Sequence, residues 1–416
     1  MTLFHRVLAW LVLAVLGALL AQVLLQDPGY VLVRFRGMDY TTSVAAGIGL
    51  LLAGAFALAL LWTLLRLPFH AWARHRERQG RARLFEGLLA YERGEPARAE
   101  RLLAQAADAG DMAPATRALA VRAARLQGNE EAADRHLQAL ATQHPALRAA
   151  LQAEHALQAG DAAAALAALD AVDAQPPSPR GLLLRAEALA ALGRSWEAHG
   201  QLGALRQQQA AAPSALDALQ ARWAEAALTE AADANALADR WDALQPALRT
   251  HPAVVAAYAR RAAAMGWHDA ASARLEEALQ AQWDADLVGL YGSLPLARLE
   301  QRRARLEAWL QARPSDPALL LATARIAQQQ GQWLQADAWL HRAIAQGGDA
   351  AAWEALGDGA LQLGDEARAR QAYANALRSQ RGEAVVDLAG RDLRQVIADT
   401  AAIEDRDVHG VPRLRE

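Results

Sequence analysis

The sequence predicts an all-α fold: two apolar helices at the front and, behind them, a long array of helical hairpins. Three observations carry this. Seven times a Gly is followed five residues later by Ala and nine residues later by Leu or Tyr. The glycines are Gly94, Gly128, Gly160, Gly193, Gly266, Gly331 and Gly364, spaced by 34, 32, 33, 73, 65 and 33 residues. The two long gaps are each two periods, and a period of this size marks a helical-hairpin repeat. Next, two runs of 20 and 26 residues near the N-terminus carry no charge. Finally, the rest of the chain is rich in Ala, the strongest helix former, and poor in aromatic and β-branched residues.

Composition sets further bounds. The 416 residues exceed one small domain, and the net charge of −3 lacks the basic excess of a nucleic-acid-binding protein. There is no Cys, which excludes disulfides, thiolate zinc sites and thiol nucleophiles. There is no Lys either, since all 43 basic residues are Arg, so a phosphate-binding or Schiff-base lysine is excluded.

The first uncharged run covers residues 7–26 and the second residues 40–65. A bilayer core needs about 20 apolar residues of helix, so each run can span it. The first lacks the small-residue cleavage site of a signal peptide and is followed by a second span. Arg66, Arg74, Arg76, Arg78, Arg81 and Arg83 follow the second run, opposed by Glu77 alone. By the positive-inside rule both termini then face the cytoplasm. Between the runs, YVLVRF alternates as a short strand does, and residues 36–39 can turn it back. Residues 68–83 leave the membrane as a basic helix.

From residue 84 the pattern is helix, turn, helix. The clearest unit is residues 351–377. Trp353, Leu356 and Gly357 fall on its first helix, Gly364 on the turn, and Ala369, Tyr373 and Ala376 on one face of the second. Gly357 is small where the second helix approaches. These residues resemble the tetratricopeptide repeat. Pro145, Pro179, Pro213, Pro252 and Pro317 come near repeat ends, where they are expected to stop the second helix. Trp241 and Leu244 belong to a second helix whose turn, residues 232–235, lacks Gly. The segment WDADLVGLYGSLPLARLEQR, from residue 283, reads as an interruption of the array. About nine hairpins are expected over residues 84–380. The tail has a weakly amphipathic stretch, LRQVIADTAAI, and then a charged end expected to be disordered.

The search for chemistry returns little. No two of the eleven histidines are three or four residues apart, so no helix presents a two-His metal face. His70 and His75 are the nearest pair. A haem needs one axial His, and these two are the candidates if haem binds; otherwise no cofactor and no metal is expected. No GxSxG or GxGxxG occurs. Trp267, Trp283, Trp333 and Trp339 read as packing between hairpins rather than as a stacking platform. No catalytic residue is expected.

The loop between the apolar runs carries the most specific signal. Residues 27–33 read DPGYVLV, and Tyr40, Thr41, Thr42, Ser43 and Val44 enter the second run. This arrangement resembles the HemY family of proteobacterial inner-membrane proteins. The match rests on Gly29, Tyr30, Val31 and Leu32, on Thr42 and Ser43, on the basic exit, and on WDADLVGLYG. The resemblance implies association with late haem (porphyrin) biosynthesis, as a scaffold or porphyrin-handling partner of pathway enzymes. An unrelated flavin-dependent oxidase shares the name, and its dinucleotide fingerprint is missing here.

The sequence therefore divides into a transmembrane hairpin (1–67, with a periplasmic loop at 27–39), a basic juxtamembrane helix (68–83), a tetratricopeptide-like α-solenoid (84–380) and a tail (381–416). The expected protein is a bacterial inner-membrane, multi-pass scaffold with termini and repeats in the cytoplasm. Its partners are haem-pathway enzymes or other proteins in the groove of the array, and the lipid bilayer, with no nucleic acid. Two alternatives stay open: a haem- or porphyrin-binding carrier or enzyme of the same pathway, and a general membrane adaptor for envelope assembly.

Overall fold

The computed structural model describes residues 29–35, 38–108, 113–171, 178–295, 298–388 and 391–401, together with Gly17, Gln22 and Ile403. The chain divides into two units, Met1–His144 and Pro145–Glu416.

The first unit opens with an antiparallel β-hairpin, β1 (Tyr30–Phe35) and β2 (Met38–Ser43). Tyr30 pairs with Ser43 and Phe35 with Met38. The link between strands is thus residues 36–37, shorter than the four-residue turn expected, and Met38 and Asp39 already belong to β2. The non-helical loop runs on to Ser43, past its expected end at residue 39. Two-residue links match the twist of paired strands. This hairpin is the sole departure from an all-α fold among the described residues.

The helix α1 (Val44–Glu92) follows at once. Ser43 caps it, its Oγ accepting from the Ala46 N–H at 3.2 Å. α1 is 49 residues of helix, with no break at residues 67 or 83. It holds most of the second apolar run, the basic segment and the first repeat helix in one rod. Helices α2 (Pro96–Ala107), α3 (Ala113–Leu126) and α4 (Glu130–Leu140) complete two hairpins, with α1 pairing α2 and α3 pairing α4.

The seven turn glycines explain the repeated spacing. All have positive φ, between 71° and 81°. Each ends a first helix in the same way. Gly364 N–H donates to Leu361 O at 3.0 Å and Asp365 N–H to Ala360 O at 2.9 Å. This Schellman-type closure satisfies the last carbonyls of the helix and needs a left-handed residue. The residue after Gly then starts the second helix. Five and nine residues past the Gly is one face of that helix. The alanines Ala99, Ala133, Ala165, Ala198, Ala271, Ala336 and Ala369 are at most 2% exposed. Leu103, Leu137, Leu202, Leu275 and Leu340 are buried one turn further on. Gly357 has the close-approach role read from the sequence, since a Cβ there would lie 2.6 Å from the Tyr373 ring.

The second unit contains seven hairpins among its described residues. They are α5 (Pro145–Gln158) with α6 (Ala162–Asp170), and α7 (Pro179–Ala191) with α8 (Ser195–Gly200) and α9 (Leu202–Gln207). Next come α10 (Pro213–Thr229) with α11 (Ala234–Ala243) and a short α12 (Pro246–Arg249), then α13 (Pro252–Ala264) with α14 (His268–Ala281). The last three are α15 (Ala285–Ser293) with α16 (Leu299–Ala312), α17 (Pro317–Gln329) with α18 (Trp333–Ala345), and α19 (Ala350–Gln362) with α20 (Glu366–Gln380).

Two expectations are corrected here. The segment from residue 283 does not interrupt the array. It forms α15, whose Leu287, Val288 and Tyr291 are buried, and the start of α16. Gly292 lets α15 lie against α17, because a Cβ there would sit 2.5 Å from Ala322 Cα. The prolines start helices rather than stop them. Pro179, Pro213, Pro252 and Pro317 occupy the first helical turn, where the missing N–H costs nothing and φ is already helical.

The tail is partly ordered. Asn375, fully buried, donates to Val386 O and accepts from Val386 N–H. The amphipathic stretch forms α21 (Leu393–Thr400), held against α18. Gln346 donates to Asp399 O, and Ser315 Oγ bonds both main-chain polar groups of Ile403. The charged end, residues 404–416, lies outside the described residues.

Among the described residues, which leave out the side chains of Ala45, Gly47, Leu52 and residues 63–77, no helix is long and apolar enough to cross a membrane. The first predicted span lies outside the described residues, Gly17 and Gln22 apart. In the second, Leu50, Leu51, Phe56 and Leu58 are each at least 70% exposed on α1.

The turn geometry makes a prediction. Nothing lies within 4 Å of a Cβ built on Gly364, so substitution there meets only backbone strain. Gly364→Val should destabilise the chain by about 1–2 kcal/mol in a denaturant melt, and Gly364→Asn by clearly less, because Asn tolerates the left-handed region. Equal losses for the two would contradict this account of the turn.

Candidate functional site

In the second unit the first helices of successive hairpins lie side by side, α15 against α17 and α17 against α19. Each begins on an aspartate cap. Asp284 accepts from Leu287 N–H at 2.9 Å, Asp316 from Leu319 N–H at 3.1 Å and Asp349 from Ala351 N–H at 3.0 Å. Between their first turns is a cleft of about 290 Å³. Its apolar lining is small, from Ala285, Gly289, Ala318 and Ala351, with Pro317 and Leu321. Its charged lining is Asp286, Asp349 and Arg325.

Arg325 was not singled out by the sequence. It is half-buried on α17, and no hydrogen bond or ion pair joins it to a described residue. Burial pushes its guanidinium below the ordinary value, while Asp349, Glu354 and Asp358 push it back up. The only signal in the sequence is a charge standing within the apolar run PALLLATARIA.

The loop motif builds a junction. The Gly29 carbonyl accepts from Val44 N–H at 2.9 Å, closing the base of the β-hairpin onto α1. A Cβ on Gly29 would come 3.1 Å from Val44 Cγ2. Val31 faces Thr42 across the hairpin, and Ser43 supplies the cap. Tyr30, Val31 and Leu32 are exposed. The motif residues thus position the hairpin on the helix and leave an apolar edge outside.

The side chains of His70 and His75 lie outside the described residues. Other histidines have structural partners. His136 hydrogen-bonds Glu100 at 2.8 Å. His199 stacks on Trp196 with ring centroids 5.3 Å apart. Arg368 donates to His341 Nε2 at 2.6 Å, which keeps that nitrogen unprotonated. Among the described residues no three His, Asp or Glu gather where they could hold a metal ion.

The tryptophans pack between helices. Trp283 meets Trp309 edge-on at 5.7 Å and donates to Asp316 at 2.8 Å, tying one hairpin to the next. Arg313 sits over its ring at 4.4 Å. Trp339 and Trp333 are partly buried, whereas Trp267 is 39% exposed at the start of α14.

These features define a tetratricopeptide-like helical repeat protein with a β-hairpin ahead of its first long helix. Residues 29–128 match the family model of the HemY protein N-terminus. The likeness to that family is therefore carried by about a quarter of the chain. The match begins at Gly29 of the loop motif and ends at the turn glycine Gly128. No curated protein matches the chain. Among solved structures it is similar to the structure of Naa15/Naa10 bound to HypK-THB, at 16% identity and TM-score 0.37, over 79% of this chain and 53% of that one. It is also similar to the crystal structure of the APC/C hetero-tetramer Cut9-Hcn1, at 15% identity and TM-score 0.29, over 76% and 68%. The chain spans about half the length of the first, and likeness at this level carries no functional information.

Two half-buried histidines make stability pH-dependent. Burial lowers both, with Arg206 adding to the effect at His199. At His341, Arg391 and Arg368 add to it, and Asp337 and Asp399 oppose it. The unfolded chain therefore takes up these protons first, near pH 6.5. Stability present above that pH is lost as pH falls through it. The thermal midpoint should drop between pH 7.5 and 5.5, and His199→Gln with His341→Gln should make that drop smaller. An unchanged drop would show that other groups carry it.

Proposed function

We propose that this chain is a membrane-anchored protein–protein interaction scaffold associated with late haem (porphyrin) biosynthesis. The observation that carries the reading is the cleft across α15, α17 and α19. It is an open, small-residue surface built from three repeats, of the kind that takes an extended segment of another protein. The match of residues 29–128 to the model of the HemY protein N-terminus supports the haem association. In this reading the protein has no catalytic residue and no resident cofactor. It gathers pathway enzymes so that poorly soluble porphyrins pass over short distances. Tethering several enzymes to one chain raises their effective concentration.

The anchor in this reading is the pair of apolar runs. The exposed leucines and Phe56 of α1 are the surface a bilayer would cover, and the Arg-rich exit follows the run on what would be the cytoplasmic side. The repeats and both termini then face the bacterial cytoplasm, and the β-hairpin faces the periplasm. Because the chain has no Cys, topology can be read with single cysteines. Thr41→Cys should react with an impermeant maleimide on intact spheroplasts, and Ser379→Cys only after lysis. The reverse pattern would overturn the orientation.

The scaffold reading is tested by purification from native membranes. Haem-pathway enzymes should co-purify with the chain and be lost when Ala318→Trp and Ala351→Trp fill the cleft. Equal recovery with the filled variant would remove the groove from the account. Recovery of envelope-assembly factors instead would favour the general adaptor. A Soret shift on haem titration, abolished by His70→Ala or His75→Ala, would favour the carrier.

A further inference from the structure

The cleft has a chemistry of its own, and it follows the repeat. Ala285, Ala318 and Ala351 are 33 residues apart, one on the first turn of each of α15, α17 and α19. At the same interval, Gly292, Arg325 and Asp358 occupy equivalent positions further along the three helices. Of these three, Gly292 is buried in the contact between α15 and α17, Arg325 lines the cleft, and Asp358 is exposed on α19.

Arg325 has five N–H donors and no acceptor among the described residues. The carboxylates near it are better supplied. Asp349 accepts from its own helix, Asp358 from the Tyr373 hydroxyl at 2.7 Å, and Glu354 from Gln380 at 3.4 Å. Each carboxylate still has lone pairs to offer. Asp286, Asp349, Glu354 and Asp358 are exposed. Asp349, Glu354 and Asp358 act on the one guanidinium and Asp286 lines the same cleft, so the cleft and its rim are net negative. A ligand that filled the cleft with a carboxylate would meet Arg325 but enter a repulsive field. A neutral carbonyl oxygen would satisfy the same donors without that cost, and cationic groups alongside it would gain from the rim.

Size and spacing select the form of the ligand. Neighbouring helices pack about 8–10 Å apart, and an extended chain rises about 3.3 Å per residue. Three helices are therefore crossed by about six extended residues. The floor of Ala and Gly admits a backbone lying flat, and the volume beside it admits one long side chain.

We propose that this cleft docks an extended basic peptide segment. A main-chain carbonyl of the segment accepts from Arg325, and its Arg or Lys side chains lie against Asp286, Asp349, Glu354 and Asp358. The inference rests on the scaffold reading and names the chemistry of the segment that a client inserts.

The test uses the full chain in detergent micelles and two fluorescent ten-residue Ala/Gly peptides, one with three arginines and one with three aspartates. The arginine peptide should bind and the aspartate peptide should not. Asp286→Asn with Glu354→Gln, both on exposed rim positions, should weaken the arginine peptide at least tenfold. Arg325→Met should weaken it as well. Glu366→Gln, an exposed acid away from the cleft, should leave it unchanged. Unaltered circular dichroism melts identify variants that still fold. Tighter binding of the aspartate peptide, or arginine-peptide binding that ignores the cleft variants, would overturn the proposal. If clients still co-purify in a manner that filling the cleft abolishes, the scaffold stands and only the basic-segment inference falls.

Discussion

The fold depends on one local constraint, a chain reversal through a left-handed residue after each first helix. Once Gly closes the helix, the next residue opens the second one, and the positions five and nine residues on must face back. Small Ala and large Leu alternate there because the first turn of the second helix lies closest to its partner. A hairpin so built buries one face and leaves another for its neighbour, which is why stability in such arrays is a nearest-neighbour sum. Where the glycine is missing, other devices serve. Asp233 caps α11 by accepting from Ala236 N–H at 2.8 Å, and Arg298 adopts φ 58° ahead of α16.

Arginine does a second structural job throughout the second unit. Arg240 donates to Ala227 O, Arg261 to Ala231 O, Arg249 to Leu244 O and Arg342 to Pro314 O. Each places a guanidinium on a carbonyl at or near a helix end, where the macrodipole is negative. The planar fork can hold two such bonds at once, as Arg261 does with both Nε and Nη2 on one oxygen. A chain with no lysine thus ties its hairpins together with groups that never lose their charge. Arg325 differs from these because no carbonyl among the described residues reaches it.

Much of this was legible in the sequence, for physical reasons. The turn glycines, the buried alanines and the close approach at Gly357 are local and repeat, so spacing alone exposes them. The loop motif was legible because Gly29, Thr42 and Ser43 are tied to one hairpin and one helix cap. Less legible was whatever depends on neighbours distant in the chain. The segment from residue 283 looked like an interruption because its hairpin turns without glycine, and its identity as α15 rests on packing against α17. The prolines were misread because a helix stop and a helix start look alike when the intervening turn is short. Arg325 carried no motif, and its lack of an acceptor among the described residues emerges only when three helices are laid side by side.

The central claim is that the face made by α15, α17 and α19 is where another protein sits. The absence of cysteine allows it to be tested directly. Single cysteines at Pro317 in the cleft and at Leu334, 79% exposed on α18, can be labelled with maleimide in membranes with and without the bound client. The account predicts that client binding slows labelling at position 317 at least tenfold and leaves position 334 unchanged. Protection at 334 with free labelling at 317 would contradict it.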